Sequence, residues 1–524
     1  FGMEDNAPAG GFLSGALPAN FFTAHLNEAG TLNNNYIRTE ARLYFNALPE
    51  DRKWSFYAAL EFDRPLETTS VDDRGGKDFD TSNFGLERLH GTYELPMNMR
   101  FHAGWDVWGV DVMDGGGLVY GDDNPGVWLT GDYDAFSFNV GYFKLGENNF
   151  QADFAKVTEL AGKNDDRDLY AGYLTFEPEE GQKIQPFYAY DRIRSVPASS
   201  FIDVFRRPGF QAAVALYERD PTREGALDPA TLTAFGADYL LAPAATPDTD
   251  SHHIGAYYTG QFGMLELFLE GVYQFGEAED TGLADAGVAA SNDFDISAYA
   301  LAADVALELE EAMGFGFKPH VGAIYTSGDD DPTDDELSGY TGVESAQRFS
   351  QYWGGENTII GDTNLMLGSI LYGYIPELYG NGTPVFTGGL QNAAGLGNGR
   401  GDNPGMTMTS LGITMTPKRF FIYKTNVNSF WWNEDINVVS FADGLTTTPV
   451  DSGYTGTEWD NEITLAMSEN SFIKGQCSFF FPGEVIEDVT SARTARTTET
   501  FEVVAGPESD EVAVRLGAEF IWKF

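Results

Sequence analysis

The chain has 524 residues, of which 31 are basic and 80 acidic, giving a formal net charge of −49. This balance excludes binding to nucleic acid through phosphate contacts, which need Lys and Arg, and the single cysteine excludes an intramolecular disulfide framework. Aromatic residues reach 14% and hydrophobic residues only 42%, and we find no run of roughly 18 apolar residues that could form a membrane-spanning helix. The composition instead favours strands with one apolar face.

From residue 34 onward, the chain alternates short connections with long ones. Each short connection is rich in Gly, Pro, Asn or Asp and joins two stretches of alternating hydrophobicity, which predicts antiparallel hairpins. The predicted strand pairs are 34–48 with 53–64, 84–95 with 97–108, 126–132 with 135–145, 167–177 with 183–193, 252–262 with 264–276, 294–309 with 315–326, 405–416 with 419–432, and 456–467 with 471–482.

The last strand shows the alternation most clearly. In residues 511–524, every second residue is apolar, namely Val512, Val514, Leu516, Ala518, Phe520, Trp522 and Phe524. A strand that ascends before residue 34 is also required, and residues 17–26 are the candidate, which leaves 1–16 as a periplasmic segment. The fold class is therefore all-β: a single transmembrane antiparallel up-and-down β-barrel over 1–524, of about eighteen strands or alternatively sixteen, with short turns on one side and long loops on the other.

The terminal Phe524, the hairpin alternation and the acidic loops resemble a Gram-negative outer-membrane porin of the large type, similar to the major porins of Campylobacter and of delta-proteobacteria. The resemblance implies an outer-membrane location after removal of a signal peptide, with periplasmic turns and extracellular loops. It implies contacts with outer-membrane lipid and lipopolysaccharide, and recognition of the C-terminal strand by the barrel-assembly machinery through Phe524. Many porins form trimers, so a homotrimer is one expected assembly.

The phase opposite to the apolar residues lines the lumen and carries the expected constriction. The predicted basic side is Arg38, Arg42, Arg88 and Arg100. The predicted acidic side is Glu61, Asp106, Asp111, Asp114, Asp122 and Asp123. In porins, such opposed charges create a transverse field, although lumen side chains can also be polar without forming one. Excess acid predicts a bias toward cations.

Three long connections are candidates for a loop that folds into the lumen: 109–125, 194–251 and 327–404. The first has Gly115, Gly116 and Gly117, which permit a sharp bend. Loops this long commonly have a function, so each is expected to plug, constrict or clasp the barrel, or to pack over its mouth.

A weak calcium signal lies in one of these loops. Its oxygen ligands are of the type that Ca²⁺ prefers, but their spacing is not that of an EF-hand. A solvated acidic loop is the alternative. The candidate ligands are Asp329, Asp330, Asp331, Asp334, Asp335 and Glu336.

No catalytic motif appears, so the prediction is a channel and not an enzyme, without a cofactor apart from calcium. The expected function is passive diffusion of small hydrophilic solutes and ions. One alternative is a substrate-selective channel, in which Tyr57, Trp108 and Trp128 form a track for sugars or act as girdle residues. Another is a barrel sheath around a partner protein.

Overall fold

The computed structural model describes residues 2–8, 31–36, 38–50, 53–65, 85–110, 118–146, 167–194, 248–279, 291, 293–331, 334–345, 404–439, 447–497, 503–506, 508, 510 and 512–524. Within these ranges the chain is dominated by strands, and one sheet contains 21 of them. Two small two-stranded sheets lie outside it.

The strands are long where the sequence alternates. They are β1 Gly2–Pro8, β2 Thr31–Tyr36, β3 Arg38–Ala47, β4 Trp54–Pro65, β5 Gly85–Leu95, β6 Met99–Gly109, β7 Tyr120–Asp132, β8 Ser137–Gly146, β9 Arg167–Thr175, β10 Gln182–Ile193, β11 Asp248–Phe262, β12 Leu265–Glu279, β13 Phe294–Leu307, β14 Gly316–Thr326, β15 Glu336–Leu337, β16 Glu344–Ser345, β17 Met406–Lys418, β18 Phe421–Trp432, β19 Ile436–Val439, β20 Thr447–Val450, β21 Gly453–Ser468, β22 Ser471–Pro482, β23 Arg496–Thr497, β24 Val503–Val504 and β25 Ala513–Trp522. Two helices are described: α1 Glu310–Met313 and α2 Glu484–Thr494.

The large sheet closes on itself into a barrel. Its long strands pair antiparallel with their neighbours in chain order, and β1 pairs with β25 on one side and with β2 on the other. Strands β15 and β16 lie off this ring, and β2 and β3 are successive segments of one wall strand. Among the described residues, the ring therefore has eighteen strands. The predicted fold class, an antiparallel barrel of about eighteen strands, is confirmed.

Closure explains why no edge is left in the wall: every backbone donor and acceptor of a strand can pair with a neighbour. All short turns lie at one end. The tightest have two residues each and are at Gly263–Met264, Arg419–Phe420 and Glu469–Asn470. In the β5–β6 turn, Met97 and Asn98 adopt positive φ values of 66° and 55°, which lets the chain reverse between the paired residues Leu95 and Met99.

The two faces of the wall differ sharply. In β12, Phe268, Glu270, Val272 and Gln274 point inward and are buried, whereas Leu269, Tyr273 and Phe275 point outward and are exposed. Large apolar side chains are exposed on the outer face around the barrel. Such a surface is unfavourable in water and favourable in contact with lipid. In β12, the inward phase that the sequence predicted is the buried one.

The beginning of the chain departs from the prediction. Residues 1–16 were expected in the periplasm and 17–26 as the first strand, but Gly2–Pro8 forms β1 in the wall, where Gly2 pairs with Gly517 and Tyr36. Residues 17–26 lie outside the described residues. The sequence of β1, GMEDNAP, has no apolar alternation, and its position follows from the partners that it joins.

A second correction concerns the predicted loop 109–125. Strand β6 continues to Gly109 and β7 begins at Tyr120, so residues 120–125 belong to the wall. Gly, Asp, Asn and Pro are depleted in strands, which is why this stretch looked like a loop. Pro125 is tolerated because β8 joins β7 only from Gly126 onward, and a proline needs no partner for its missing N–H.

Across the described residues, none of the helices is long and apolar enough to cross a membrane.

Candidate functional site

A stretch of the long connection after β14 runs inside the barrel. We call residues 334–345 the inner segment. It begins as β15, which pairs in parallel with β13 at Asp295 and Ile296, and ends as β16, which pairs in parallel with β7 at Tyr120 and Gly121. Strands β7 and β13 are separated in the wall by five strands, so the inner segment spans the interior at the long-loop end.

A buried ion pair holds the far part of the inner segment. The Arg167 guanidinium contacts the Asp191 carboxylate with two hydrogen bonds, of 3.0 Å from Nε and 2.7 Å from Nη2. Nη2 also donates to the backbone carbonyl of Val343 at 2.9 Å. The side chains are 3% and 0% exposed. This bidentate geometry fixes the position of the segment relative to β9 and β10.

The next two wall strands hold the middle of the segment. On β11, His253 Nε2 donates to the carbonyl oxygen of Thr341 at 3.0 Å. On β12, Gln274 accepts a 2.9 Å hydrogen bond from the Thr341 backbone N–H and donates to Ser251 Oγ at 3.1 Å. Both backbone polar groups of Thr341 are thereby satisfied by side chains of the wall, as a buried backbone requires.

The end of the connection between β6 and β7, at Leu118 and Val119, also contacts the inner segment. The N–H of Val343 donates to Val119 O at 2.8 Å, and Tyr340 Oη donates to Leu118 O at 2.6 Å. The N–H of Leu118 in turn donates to Glu270 Oε1 at 3.1 Å. Leu118 and Val119 are fully buried. Two chain segments and the wall thus form one packed unit that narrows the lumen.

A second buried network follows the wall from β13 to β21. His320 Nδ1 lies 2.9 Å from Asp304 Oδ2, and its Nε2 lies 2.8 Å from Asn426 Oδ1. Asn426 donates to Asn428 Oδ1, and Asn428 donates to Asp460 Oδ2 at 3.0 Å. Because buried polar groups are costly unless they are hydrogen-bonded, this row stabilises the inner surface of the wall.

Gly412 makes the contact between His320 and Asn426 possible. It lies on β17, between β14 and β18, opposite both residues. A Cβ atom here would lie 2.0 Å from Asn426 Oδ1 and 2.5 Å from His320 Nε2. Because Gly412 has no side chain, His320 on β14 and Asn426 on β18 can form their hydrogen bond across β17.

The inward face of β3 to β6 is different, because several of its side chains are exposed. Arg42 forms an ion pair with Glu61 at 2.8 Å, with 38% and 22% of the side chains exposed. Arg100 forms one with Glu94 at 2.9 Å, and both are exposed. Tyr44 lies between these two ion pairs along the strand direction, and it is 57% exposed. The most exposed inward ion pair of the described interior therefore lies on these four strands, while the Lys318–Glu266 pair on the opposite arc is 31% exposed for both side chains.

The predicted basic residues fall on this face but do not form one ladder. Arg42 and Arg88 lie in the middle of the wall, whereas Arg100 lies beside the β5–β6 turn. Arg38 is on β3 opposite Pro65, and its side chain is outside the described residues. Arg42 and Arg100 are each paired with an acid of the neighbouring strand, so the charges are locally compensated.

The predicted acids are dispersed. Asp106 contacts His90 Nδ1 at 3.0 Å. Asp122 and Asp123 were expected on an inward loop, but they lie on β7, and their side chains, like all of Asp111 and Asp114, are outside the described residues. The structure joins Arg42 to Glu61 of the neighbouring strand, whereas the prediction placed the arginines opposite acids of an inward loop and of the far wall. The structure also places part of the 327–404 candidate in the lumen, while residues 195–247 of the 194–251 candidate are outside the described residues.

The six candidate calcium ligands are not assembled. Asp329 is buried and accepts a hydrogen bond from the Ser338 N–H at 2.9 Å. Asp334 accepts one from the Glu336 N–H at 2.8 Å. Within the described parts of the chain, no three His, Cys, Asp or Glu residues are grouped so that they could hold a metal ion.

Burial raises the pKa of Glu434, and Asp330 and Asp435 raise it further. This carboxyl lies just beyond β18, outside the wall strands. Its neighbours show that acidic side chains of different loops meet at the long-loop end, where each carboxylate makes the ionisation of the next less favourable.

Phe524 lies just beyond β25 at the short-turn end. Its ring is fully exposed and stacks on Trp522 at a centroid distance of 5.2 Å. Phe520 and Trp522 are also exposed on the outer face, which continues the apolar phase predicted for the last strand.

The contacts of Arg167, His253 and Gln274 with the inner segment were not predicted. The sequence places Asp191, Glu270 and His253 on the inward phase, but phase alone does not identify their partners. Arg167 begins β9, within the predicted strand 167–177, but its position there does not identify Asp191 and Val343 as its partners.

No protein-family model matches the chain, and no curated protein matches it. The chain is similar to solved structures of bacterial outer-membrane proteins. OccK8 (OprE) and the outer-membrane protein OpdK, both of Pseudomonas aeruginosa, are each 10% identical over 94% of either chain, with a TM-score of 0.42. Wzi of Escherichia coli, described as a carbohydrate-binding barrel involved in capsule assembly, is 9% identical over 100% of this chain and 82% of its own, with a TM-score of 0.39.

These neighbours are Gram-negative outer-membrane proteins, the class that the sequence resembles. At such TM-scores they show only what the chain is similar to. The assignment as a closed eighteen-stranded barrel rests on the strand pairing of the chain itself.

Proposed function

We propose that this protein is an outer-membrane porin that allows passive diffusion of small hydrophilic solutes and ions, and that it is not an enzyme. The observation that supports this proposal is the closed ring of eighteen antiparallel strands, with exposed apolar side chains outside and polar side chains inside. Barrels of this size leave room for an aqueous channel, and closed barrels and helices are the two structures that can span a bilayer.

The inner segment acts as the constriction. It is attached to β9, β11 and β12 by side-chain hydrogen bonds and to β7 and β13 by backbone pairing. Solutes then pass along the accessible face of β3 to β6. In this proposal, the charges along the path are paired locally on one face, instead of forming the predicted transverse field between opposed charges.

A bias toward cations follows from the charge of the whole chain, which is −49. On the accessible face, the inward acids Glu61, Glu94 and Asp106 are matched in number by Arg42, Arg88 and Arg100. Cations are therefore concentrated at the entrance by the field of the whole protein rather than by an excess of acid along this face.

Planar-bilayer conductance with a salt gradient tests this function. We expect steady ohmic steps and a reversal potential with the sign of cation selectivity. A variant in which residues 336–343 are replaced by a short Gly-Ser linker should show larger steps, because the constriction is gone. A variant with a substitution at the short-turn end, Lys418→Gln, is the control and should retain the conductance. Absence of conductance from protein that migrates as a folded barrel would contradict the proposal.

Other parts of the proposal follow from the outer-membrane assignment alone: contacts with lipopolysaccharide, recognition of Phe524 by the barrel-assembly machinery and a homotrimer. Calcium binding rests only on the acidic composition of the loops. Each remains a prediction. Size-exclusion chromatography with light scattering tests the trimer, and calorimetric titration with Ca²⁺ tests the metal.

A further inference from the structure

We propose that the inward rings of β3 to β7 form a track that binds the rings of carbohydrate solutes as they pass. This inference rests on the proposed channel function and names the class of solute. The track is defined by Tyr44, Tyr57, His90, His102 and Trp128. They come from five consecutive wall strands and all lie on the inward phase.

The rings form an unbroken series of contacts. Tyr44 stacks on Tyr57 at a centroid distance of 6.4 Å, and Tyr57 lies 5.3 Å from His90. His90 lies 5.7 Å from Trp128, and His102 stacks on Trp128 at 5.0 Å with an angle of 3° between the planes. Tyr44, Tyr57 and His90 are accessible, so a solute can move between these neighbouring rings without losing all contact, while the buried Trp128 supports them from the side.

Hydrogen bonds and packing fix the orientation of the buried end of the track. His102 is held on both sides, with Nδ1 at 2.9 Å from Thr92 Oγ1 and Nε2 at 3.1 Å from Thr130 Oγ1. Trp128 is almost fully buried. A track that is rigid at one end loses little conformational entropy on binding.

The other end of the track is accessible. Tyr44 is 57% exposed, and Tyr57 and His90 are partly exposed. On the opposite arc of the wall, the inward side chains Asn426, Asn428 and others are buried. The accessible rings are thus where a solute in the lumen would meet the wall.

Ion pairs flank the rings on both sides along the strands. Arg42–Glu61 lies toward the long-loop end and Arg100–Glu94 toward the short-turn end, while His90–Asp106 lies between them. Each of these pairs offers both donors and acceptors, and the two arginine–glutamate pairs have little net charge. A sugar matches this surface, because its C–H face packs on the negative face of an aromatic ring and its hydroxyl groups both donate and accept hydrogen bonds. A strongly charged solute would gain less from compensated pairs.

Current block by maltotriose in planar bilayers tests the track. We expect maltotriose to reduce the current of the wild-type channel in a saturable way, whereas sorbitol, a polyol without a ring, should not. Tyr44→Ala and Tyr57→Ala should each raise the half-blocking concentration about two- to tenfold, as expected for the loss of one ring contact. Tyr273→Ala is the matched control, since Tyr273 is exposed on the outer face, and should leave the block unchanged.

The outcomes separate this inference from the proposed function. A folded protein without conductance contradicts the channel itself. A conducting channel that maltotriose does not block, or that sorbitol blocks equally, overturns the track and leaves the porin proposal intact. Equal block in wild type, Tyr44→Ala and Tyr57→Ala also overturns it. If Tyr57→Ala fails to fold, Tyr44→Ala decides, because that side chain is mostly exposed.

Discussion

Two arcs of the barrel interior use polar side chains in opposite ways. Between β9 and β21, the Arg167–Asp191 pair and the network from Asp304 to Asp460 are buried and connected. Nearer the short turns of this arc, an inward pair, Lys318 with Glu266, is partly exposed. From β3 to β6, inward charges such as Arg42 and Glu61 are partly exposed and paired only locally. The same alternation of residues therefore produces a packed support on one side and an accessible path on the other.

The two arcs differ in what their inward side chains face inside the barrel. The inner segment covers part of the first arc, and its backbone depends on wall side chains for hydrogen bonds. On the second arc, water can solvate each charge. Polar groups contribute to stability mainly where their removal leaves a partner buried and unsatisfied, so substitutions in the two arcs should have different consequences.

The largest effect is expected for Asp191→Asn. The substitution leaves the Arg167 guanidinium buried without its carboxylate, and breaking a buried ion pair costs about 3–5 kcal/mol. Urea unfolding followed by tryptophan fluorescence measures the loss. The control is the double variant Arg167→Met with Asp191→Leu, which removes both charges and should be much closer to wild type. An Asp191→Asn barrel as stable as wild type would show that the pair does not support the wall.

Gly412→Val should have the next largest effect. Its side chain would occupy the space between His320 and Asn426, and overpacking of this kind costs about 1–3 kcal/mol. The same unfolding experiment applies. Gly475→Val is the matched control, because no atom lies within 4 Å of a Cβ at that position. Equal stability of the two variants would contradict the proposed role of Gly412.

A smaller change in stability is expected for Arg42→Gln, about 0.2–1 kcal/mol, because the ion pair with Glu61 is partly exposed and solvent screens it. Its effect should appear in transport instead. Loss of one cation from the accessible face leaves Glu61 uncompensated, so the reversal potential in a salt gradient should move further toward cation selectivity. An unchanged reversal potential would place Arg42 away from the path of ions.

Much of this architecture is predictable from the sequence, because alternation with period two identifies a strand and its phase without knowledge of its neighbours. Strands β21 and β22 are examples, and the residues that the structure buries there, such as Asp460, Glu462, Gln476 and Ser478, lie on the inward phase. The exposure of Phe520 and Trp522 was predictable for the same reason.

Contacts between distant segments are not encoded in this periodic pattern. The pairing of Arg167 with Asp191 depends on the register of β9 against β10, and a shift of one residue would point either side chain outward. The inner segment contains only two-residue strands, too short for any period to be read. Strand β1 lacks alternation and is fixed by its partners β2 and β25.

Thiol accessibility during conductance recording tests most directly whether the path follows β3 to β6. In a background where Cys477, the single cysteine, is replaced by serine, Tyr44→Cys and Asn428→Cys place one thiol on each arc. We predict that a charged, water-soluble methanethiosulfonate reagent changes the conductance of the Tyr44→Cys channel and leaves the Asn428→Cys channel unaffected. Modification of Asn428→Cys with no effect on Tyr44→Cys would contradict the account.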